Sequence, residues 1–185
     1  MKERSPYLTG QRVTLSPLED GDREALLRMA RDERVTRTYM MPDLEDEARA
    51  EAFFLRMQAL SCAAERFVWG IHRSGELIGF LNECGVEGDS MEIGYFVDPA
   101  HWNQGYATEA FAAAIRELFR MGYRAVTAGY FEENPASRRV MEKCGLKPLD
   151  RESVIAYRGT DHRCLYMGIR AGQSAPSGEA GARVD

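Results

Sequence analysis

The stretch from residue 91 to 121, MEIGYFVDPAHWNQGYATEAFAAAIRELFRM, constrains what this chain can fold into more than any other. Residues 91–97 are a short apolar run of strand length. After a turn, Ala107, Ala110, Phe111, Ala114, Ile115, Leu118 and Phe119 recur at the spacing of one buried helical face, which leaves Glu109, Arg116, Glu117 and Arg120 to face water. A strand that passes into a helix through Gln104, Gly105, Tyr106, Ala107 and Thr108 delivers the helix's first N–H groups into the turn without intrahelical partners. Such a terminus suits an anion, because glycine permits close approach and the positive end of the helix dipole lies there. The same residues also make an ordinary tight turn in which glycine relieves strain. The patterns G-x-G-x-x-G and G-x-x-x-x-G-K-[ST] are absent, which removes the dinucleotide fingerprint and the P-loop.

A second stretch narrows the choice. NPASRRVMEKCGL, residues 134–146, reads as a capped helix, with Asn134 at the cap, Pro135 at the first helical position and Gly145 as terminator. Together, WNQGYATEA and NPASRRVMEKCGL resemble the two acetyl-CoA motifs of the GNAT N-acetyltransferase superfamily, and most closely its RimJ/RimL-like branch. Trp102, Gly105 and Ala107 match the branch form W-x-x-G-Y-A-T-E-A, although Trp102 departs from the superfamily's Arg or Gln. Asn134, Ser137, Glu142, Lys143, Gly145 and Leu146 match the second motif. The resemblance covers residues 8–170, expected as one acetyltransferase domain, with 171–185 as a disordered tail of small polar residues.

The resemblance implies a mixed, mostly antiparallel sheet in an α+β fold, with helices on both faces and one parallel strand pair that splays apart. The pantetheine arm of acetyl-CoA is expected in that gap, pairing with backbone near Phe96 and Val97. Trp102 to Thr108, with Asn134 and Ser137, would hold the rest of this co-substrate. The first two helices and their link would form the lip of the acceptor pocket, which brings Tyr39, Met40, Met41 and Phe54 within reach of substrate.

Composition agrees with a single globular domain. The chain has 185 residues, 44% hydrophobic and 29% charged, with a net charge of −5. That charge argues against a nucleic-acid partner, which calls for a basic face, and suits a cationic acceptor such as an amine. No apolar run reaches membrane-span length and residues 1–10 have no signal-peptide core, so the expectation is a cytoplasmic protein without a membrane partner. The four cysteines lie far apart, so reduced, mostly buried thiols and no metal are expected. A homodimer is compatible with the sequence.

Along the chain, residues 1–7 read as loose and 11–15 as a first strand. Helices are expected at 22–31 and at 44–60, the second capped by Asp43. Strands follow at 66–73, 76–83, 91–97 and 125–131, then a helix at 135–144 and a closing hairpin at 152–157 and 163–169.

Acetyl transfer from a thioester to an amine needs a neutral nucleophile and a donor for the departing thiolate. Glu92, at the start of the central strand, is the first candidate base and Glu83 the second, the alternative being that each pairs with an arginine or faces water. The family's usual acid is a tyrosine seven residues past the Asn, a position held here by Met141. Ser137 is therefore the better-placed hydroxyl, with Tyr130 behind it, unless Ser137 only supports the helix start. The expected function is acetyl-CoA-dependent acetylation of a primary amine by direct attack, with a protein N-terminus as acceptor. A small-molecule amine, or a non-catalytic acyl-CoA sensor, is the alternative.

Overall fold

The fold is an α+β arrangement around one open sheet of eight strands among the described residues, 3–172 of a computed structural model. The strands are β1 (Leu8–Thr9), β2 (Thr14–Ser16), β3 (Val68–Arg73), β4 (Glu76–Glu87), β5 (Ser90–Val97), β6 (Ala125–Phe131), β7 (Lys147–Tyr157) and β8 (Thr160–Arg170). They lie in the order β1-β2-β3-β4-β5-β6-β8-β7, and every neighbouring pair is antiparallel except β5 with β6. The helices are α1 (Arg23–Arg31), α2 (Glu33–Thr36), α3 (Glu47–Cys62), α4 (Tyr106–Met121) and α5 (Pro135–Lys143).

Alternation along the strands builds a core on each face. Met91, Ile93 and Val97 of β5 pack with Phe111, Leu118 and Met141 from α4 and α5. Phe96 points the other way, into a cluster with Leu26, Val35, Leu44 and Phe54 from the α1–α3 side. Phe54 is thus a core residue at 2% exposure, whereas Met40 is exposed.

β5 and β6 pair at Ser90–Ala125, Met91–Val126 and Glu92–Thr127 and no further, although both strands continue. This is the splayed parallel pair. The amide of Asp98 donates to the Ile78 carbonyl, so strand alternation directs the backbone of Gly94 and Phe96 to β4 as well. Tyr95 and Val97 therefore present their backbone groups to the gap.

Several expectations are corrected. The first strand is two short ones, and α3 begins after Asp46, whose carboxylate accepts the Arg49 amide at 2.9 Å, because Asp43 instead takes the Glu45 amide. β4 runs past Glu83 to Glu87, absorbing an extra residue as a bulge at Cys84. The N-terminal segment is anchored: the Arg4 guanidinium lies 3.9 Å over the Trp69 ring and donates to the carbonyls of Val68 and Ser61 at 2.8 and 2.7 Å. Glu117 does not face water but is 4% exposed, accepting from the Ser5 amide and from Arg120. Two of the four cysteines, Cys62 and Cys84, are exposed. Of the expected tail, residues 173–185 lie outside the described residues.

Candidate active site

The gap between β5 and β6 opens into a cavity of about 540 Å³, floored by residues 93–97 and 129–130 and walled by the starts of α4 and α5. Gly105 is the N-cap of α4 with φ at +84°, a left-handed conformation for which glycine is suited, and no side chain caps the helix. The first intrahelical bond is Glu109 N–H to the Gly105 carbonyl at 3.0 Å, so the amides of Tyr106, Ala107 and Thr108 remain available to an anion. Arg12 stands beside this turn, with Nη1 donating to the Gln104 carbonyl at 3.0 Å.

Ten of the eleven residues expected to hold acetyl-CoA line this one cavity: Phe96, Val97, Trp102, Asn103, Gly105, Tyr106, Ala107, Thr108, Asn134 and Ser137. Gln104 does not. Its side chain turns back to the Ala100 carbonyl at 3.2 Å. Trp102, the departure from the superfamily motif, uses its indole N–H on the Val97 carbonyl at 2.7 Å and so braces the open end of β5. Arg34, Arg37, Arg139 and Lys143 add positive charge to the wall. His101 also lines it, and its Nδ1 is buried without a hydrogen-bond partner.

Asn134 caps α5 through its side-chain oxygen, which accepts the Ser137 amide at 3.1 Å. The cap thereby leaves the Ser137 hydroxyl out of helix capping. That hydroxyl lies 3.1 Å from the Tyr95 hydroxyl, a contact between β5 and α5 that sequence spacing does not reveal. Met141 is buried in the core at 1% exposure.

The two glutamates fall on opposite faces of the sheet. Glu83 pairs in register with Ile93, on the α4 face, where its carboxylate accepts the Phe67 amide at 2.8 Å and pairs with Arg66 at 2.5 Å. Glu92 follows Met91 in alternation and faces the other side, paired with Arg151 at 3.2 Å. Neither lines the cavity. Among the described residues lining it, the single carboxylate is Glu133, which pairs with His162. The His162 ring stacks on Phe131 at 4.4 Å, and Tyr157 lies beside it. No sequence motif joins these residues; the β7–β8 hairpin carries His162 to the end of β6.

On that same side, Tyr39 packs over Gly94, hydrogen-bonds Asn82 through its hydroxyl and meets the Phe96 ring at 5.0 Å. The Tyr157 hydroxyl donates to the Tyr39 carbonyl at 3.4 Å and accepts the Met41 amide at 3.2 Å, tying the loop after α2 to the hairpin. The cavity thus joins a turn with unpartnered helix amides at one end to an aromatic side wall at the other.

Burial pushes the Cys144 thiol up to about 12, and no cysteine lines the cavity among the described residues, so the site holds no ready thiolate nucleophile. No group of three or more metal-ligating side chains occurs among the described residues, and no described helix is long and apolar enough to cross a membrane.

Comparison with known proteins agrees with this geometry. Residues 12–147 match the family model described as the acetyltransferase (GNAT) domain. The chain is 30% identical over 155 residues to a Bacillus subtilis (strain 168) protein named as the uncharacterized N-acetyltransferase YoaA, covering 81% of this chain and 86% of that protein. Among solved structures, Mycobacterium smegmatis RimJ in complex with CoA-disulfide aligns at a TM-score of 0.79 and 22% identity, covering 95% of this chain and 94% of that one. RimL, described as a ribosomal L7/L12 alpha-N-protein acetyltransferase in complex with coenzyme A, aligns at 0.75 and 14% identity, covering 91% and 98%. With a family model spanning most of its length, and with the splayed strands and glycine-capped helix in place, the chain belongs to the GNAT acetyltransferase family.

Proposed function

We propose that this enzyme transfers the acetyl group of acetyl-CoA to an α-amine at a protein N-terminus, by direct attack of the neutral amine on the thioester. The observation that carries this choice is the state of the carboxylates: Glu83 is held by Phe67 and Arg66, Glu92 by Arg151, and neither lines the cavity. An α-amine with pKa near 8 is already about a tenth neutral at pH 7, whereas a lysine near 10.4 requires about 3.4 units of deprotonation, roughly 4.6 kcal/mol. A site without a free strong base favours the first. RimL, an alpha-N-protein acetyltransferase of similar fold, agrees with this acceptor.

In this proposal the amides of Tyr106, Ala107 and Thr108 receive the pyrophosphate, and the backbone of Tyr95 and Val97 positions the pantetheine arm. Ser137 donates to the sulfur as the carbon–sulfur bond breaks. The His162–Glu133 pair, which meets the cavity through Glu133, accepts the proton released by the amine, in place of Glu83 or Glu92. Incubation with acetyl-CoA and a panel of peptides, polyamines and aminoglycosides, with free thiol titrated, tests the assignment. Thiol release with free-N-terminal peptides and none with N-blocked, lysine-containing ones is expected. The opposite preference would overturn the acceptor, and no release with any amine would overturn the activity.

A further inference from the structure

We propose that Tyr95 is a positioning residue for the transfer, holding the Ser137 hydroxyl so that its proton is left free for the departing sulfur. The inference rests on Ser137 acting as the donor in the function proposed above.

The Tyr95 hydroxyl lies 3.1 Å from the Ser137 Oγ and 3.3 Å from the Ser137 carbonyl oxygen, so both of its protein partners belong to one residue. Its ring is held 4.9 Å from Phe111 of α4, and both Tyr95 and Ser137 line the cavity. A serine hydroxyl carries one proton and two lone pairs. On a helix that proton commonly turns back onto the backbone carbonyl three or four residues earlier. The Tyr95 hydroxyl has a single proton, which it donates to the Ser137 carbonyl; when it forks that proton between the carbonyl and the Oγ of the same residue, the serine oxygen is fixed in place and its own proton must find a third partner. The Ser137 amide is already committed to Asn134, so the arrangement is complete except on the cavity side. Burial pushes the Tyr95 phenol up, which keeps it a protonated donor at neutral pH.

The chemistry balances without another reactant. A carbon–nitrogen bond forms, the carbon–sulfur bond breaks with its electron pair left on sulfur, and the proton lost by the amine matches the one the thiolate finally takes. Ser137 need only donate a hydrogen bond while sulfur carries charge, and Tyr95 makes that bond directional.

The test uses coenzyme A itself as probe, so that it needs no acceptor. The thiol of bound coenzyme A is titrated by the ultraviolet absorbance of its thiolate, in the wild type and in Tyr95→Phe, which keeps the ring against Phe111. The bound thiol should ionise at lower pH than free coenzyme A, and Tyr95→Phe should raise that pKa by about one unit. A bound thiol with the same pKa in both proteins overturns the proposal, whether or not any amine is acetylated. Ser137→Ala is the second variant: it should raise the thiol pKa at least as far, and failure to do so also overturns the proposal. With whichever amine turns over, Tyr95→Phe should lower kcat roughly tenfold at unchanged KM for acetyl-CoA, and should add nothing in the Ser137→Ala background. Independent, additive losses would assign Tyr95 a merely structural role. An α-amine preference that fails while the titration succeeds separates the acceptor assignment from this one.

Discussion

Arg12 donates from Nη1 to the Gln104 carbonyl oxygen at 3.0 Å, and so fastens the turn between β1 and β2 to the turn that opens α4. Glu109, on the first turn of α4, completes the clasp: its carboxylate accepts the amides of Arg12 and Val13 and pairs with the Arg12 guanidinium at 3.0 Å. The glycine turn at the start of α4 is thereby stiffened by contacts between residues 92 to 97 positions apart in sequence.

The clasp should make stability depend on pH. Burial pushes the Glu109 carboxyl up, but the Arg12 and Val13 amides and the Arg12 guanidinium outweigh it and hold it below the usual range. A folded pKa below the unfolded value, about 4.3 for Glu, means a contribution that is complete above that value and is lost as pH falls through the folded one. Glu109→Gln should therefore cost on the order of 1–2 kcal/mol at neutral pH, with a deficit that shrinks in acid. Denaturant melts of both proteins from pH 7 to about pH 3 measure this. A deficit that stays constant across the series would show that the charge of Glu109 is not what holds the turn.

Gly105 matters through its backbone. A Cβ there would lie 3.2 Å from the Arg12 Nη2, the mobile end of a side chain, so the larger cost of Gly105→Ala is the positive φ, about 1 kcal/mol or more. Gly105→Glu adds a like charge where a phosphate is to sit and should weaken acetyl-CoA binding tenfold or more, about 1.4 kcal/mol. Calorimetric titration with acetyl-CoA, beside a thermal melt, separates the two effects. Unchanged affinity in a folded Gly105→Glu protein would remove this turn from the binding site.

How much of this was legible in sequence depends on how local each contact is. The α4 stripe, the glycine at its start and the Asn134 cap are set by neighbours within a few residues, and they stand where spacing placed them. The opposite facing of Glu83 and Glu92 was not legible, because it follows from register across β4 and β5. Glu109 and Glu117 sit on what spacing marks as the wet side of α4, yet segments from the start of the chain fold over and engage them. Tyr95 beside Ser137 and His162 beside Glu133 are meetings of separate elements, 42 and 29 residues apart, and no short-range pattern encodes them.

Ser137 and Asn134 divide two roles that the sequence leaves joined. Because the Asn134 side chain, and not the Ser137 hydroxyl, caps α5, Asn134→Ala should cost about 1 kcal/mol of stability. Ser137→Ala should instead lower kcat on the order of 10²-fold, about 2.7 kcal/mol, at nearly constant acetyl-CoA affinity. Thermal melts and steady-state kinetics of the two variants should move in opposite columns. A Ser137→Ala enzyme with full kcat and a lowered Tm would take the serine out of the mechanism and direct attention to Tyr130, which also lines the cavity.

The acceptor assignment makes its own pH prediction, because without a strong base the amine must lose its proton largely on its own account. With a peptide bearing a free α-amine, kcat/KM should climb about tenfold per pH unit and level off near the amine's own pKa, about 8. With the α-amine blocked and a lysine as nucleophile, the climb should continue toward about 10.4, leaving the lysine roughly 250-fold worse at neutral pH from the 2.4-unit difference alone. His162 refines the outcome, since its ring, hydrogen-bonded to Glu133 and stacked on Phe131, is the proposed acceptor of the amine's proton. His162→Gln should lower kcat/KM and leave the break near 8, because the break belongs to the substrate. A break well below 8 that disappears in His162→Gln would instead assign it to the imidazole. A profile flat from pH 6 to 9 with lysine peptides would mean that a strong base operates here after all, and would return Glu92, freed from Arg151 by the bound acceptor, to the centre of the mechanism.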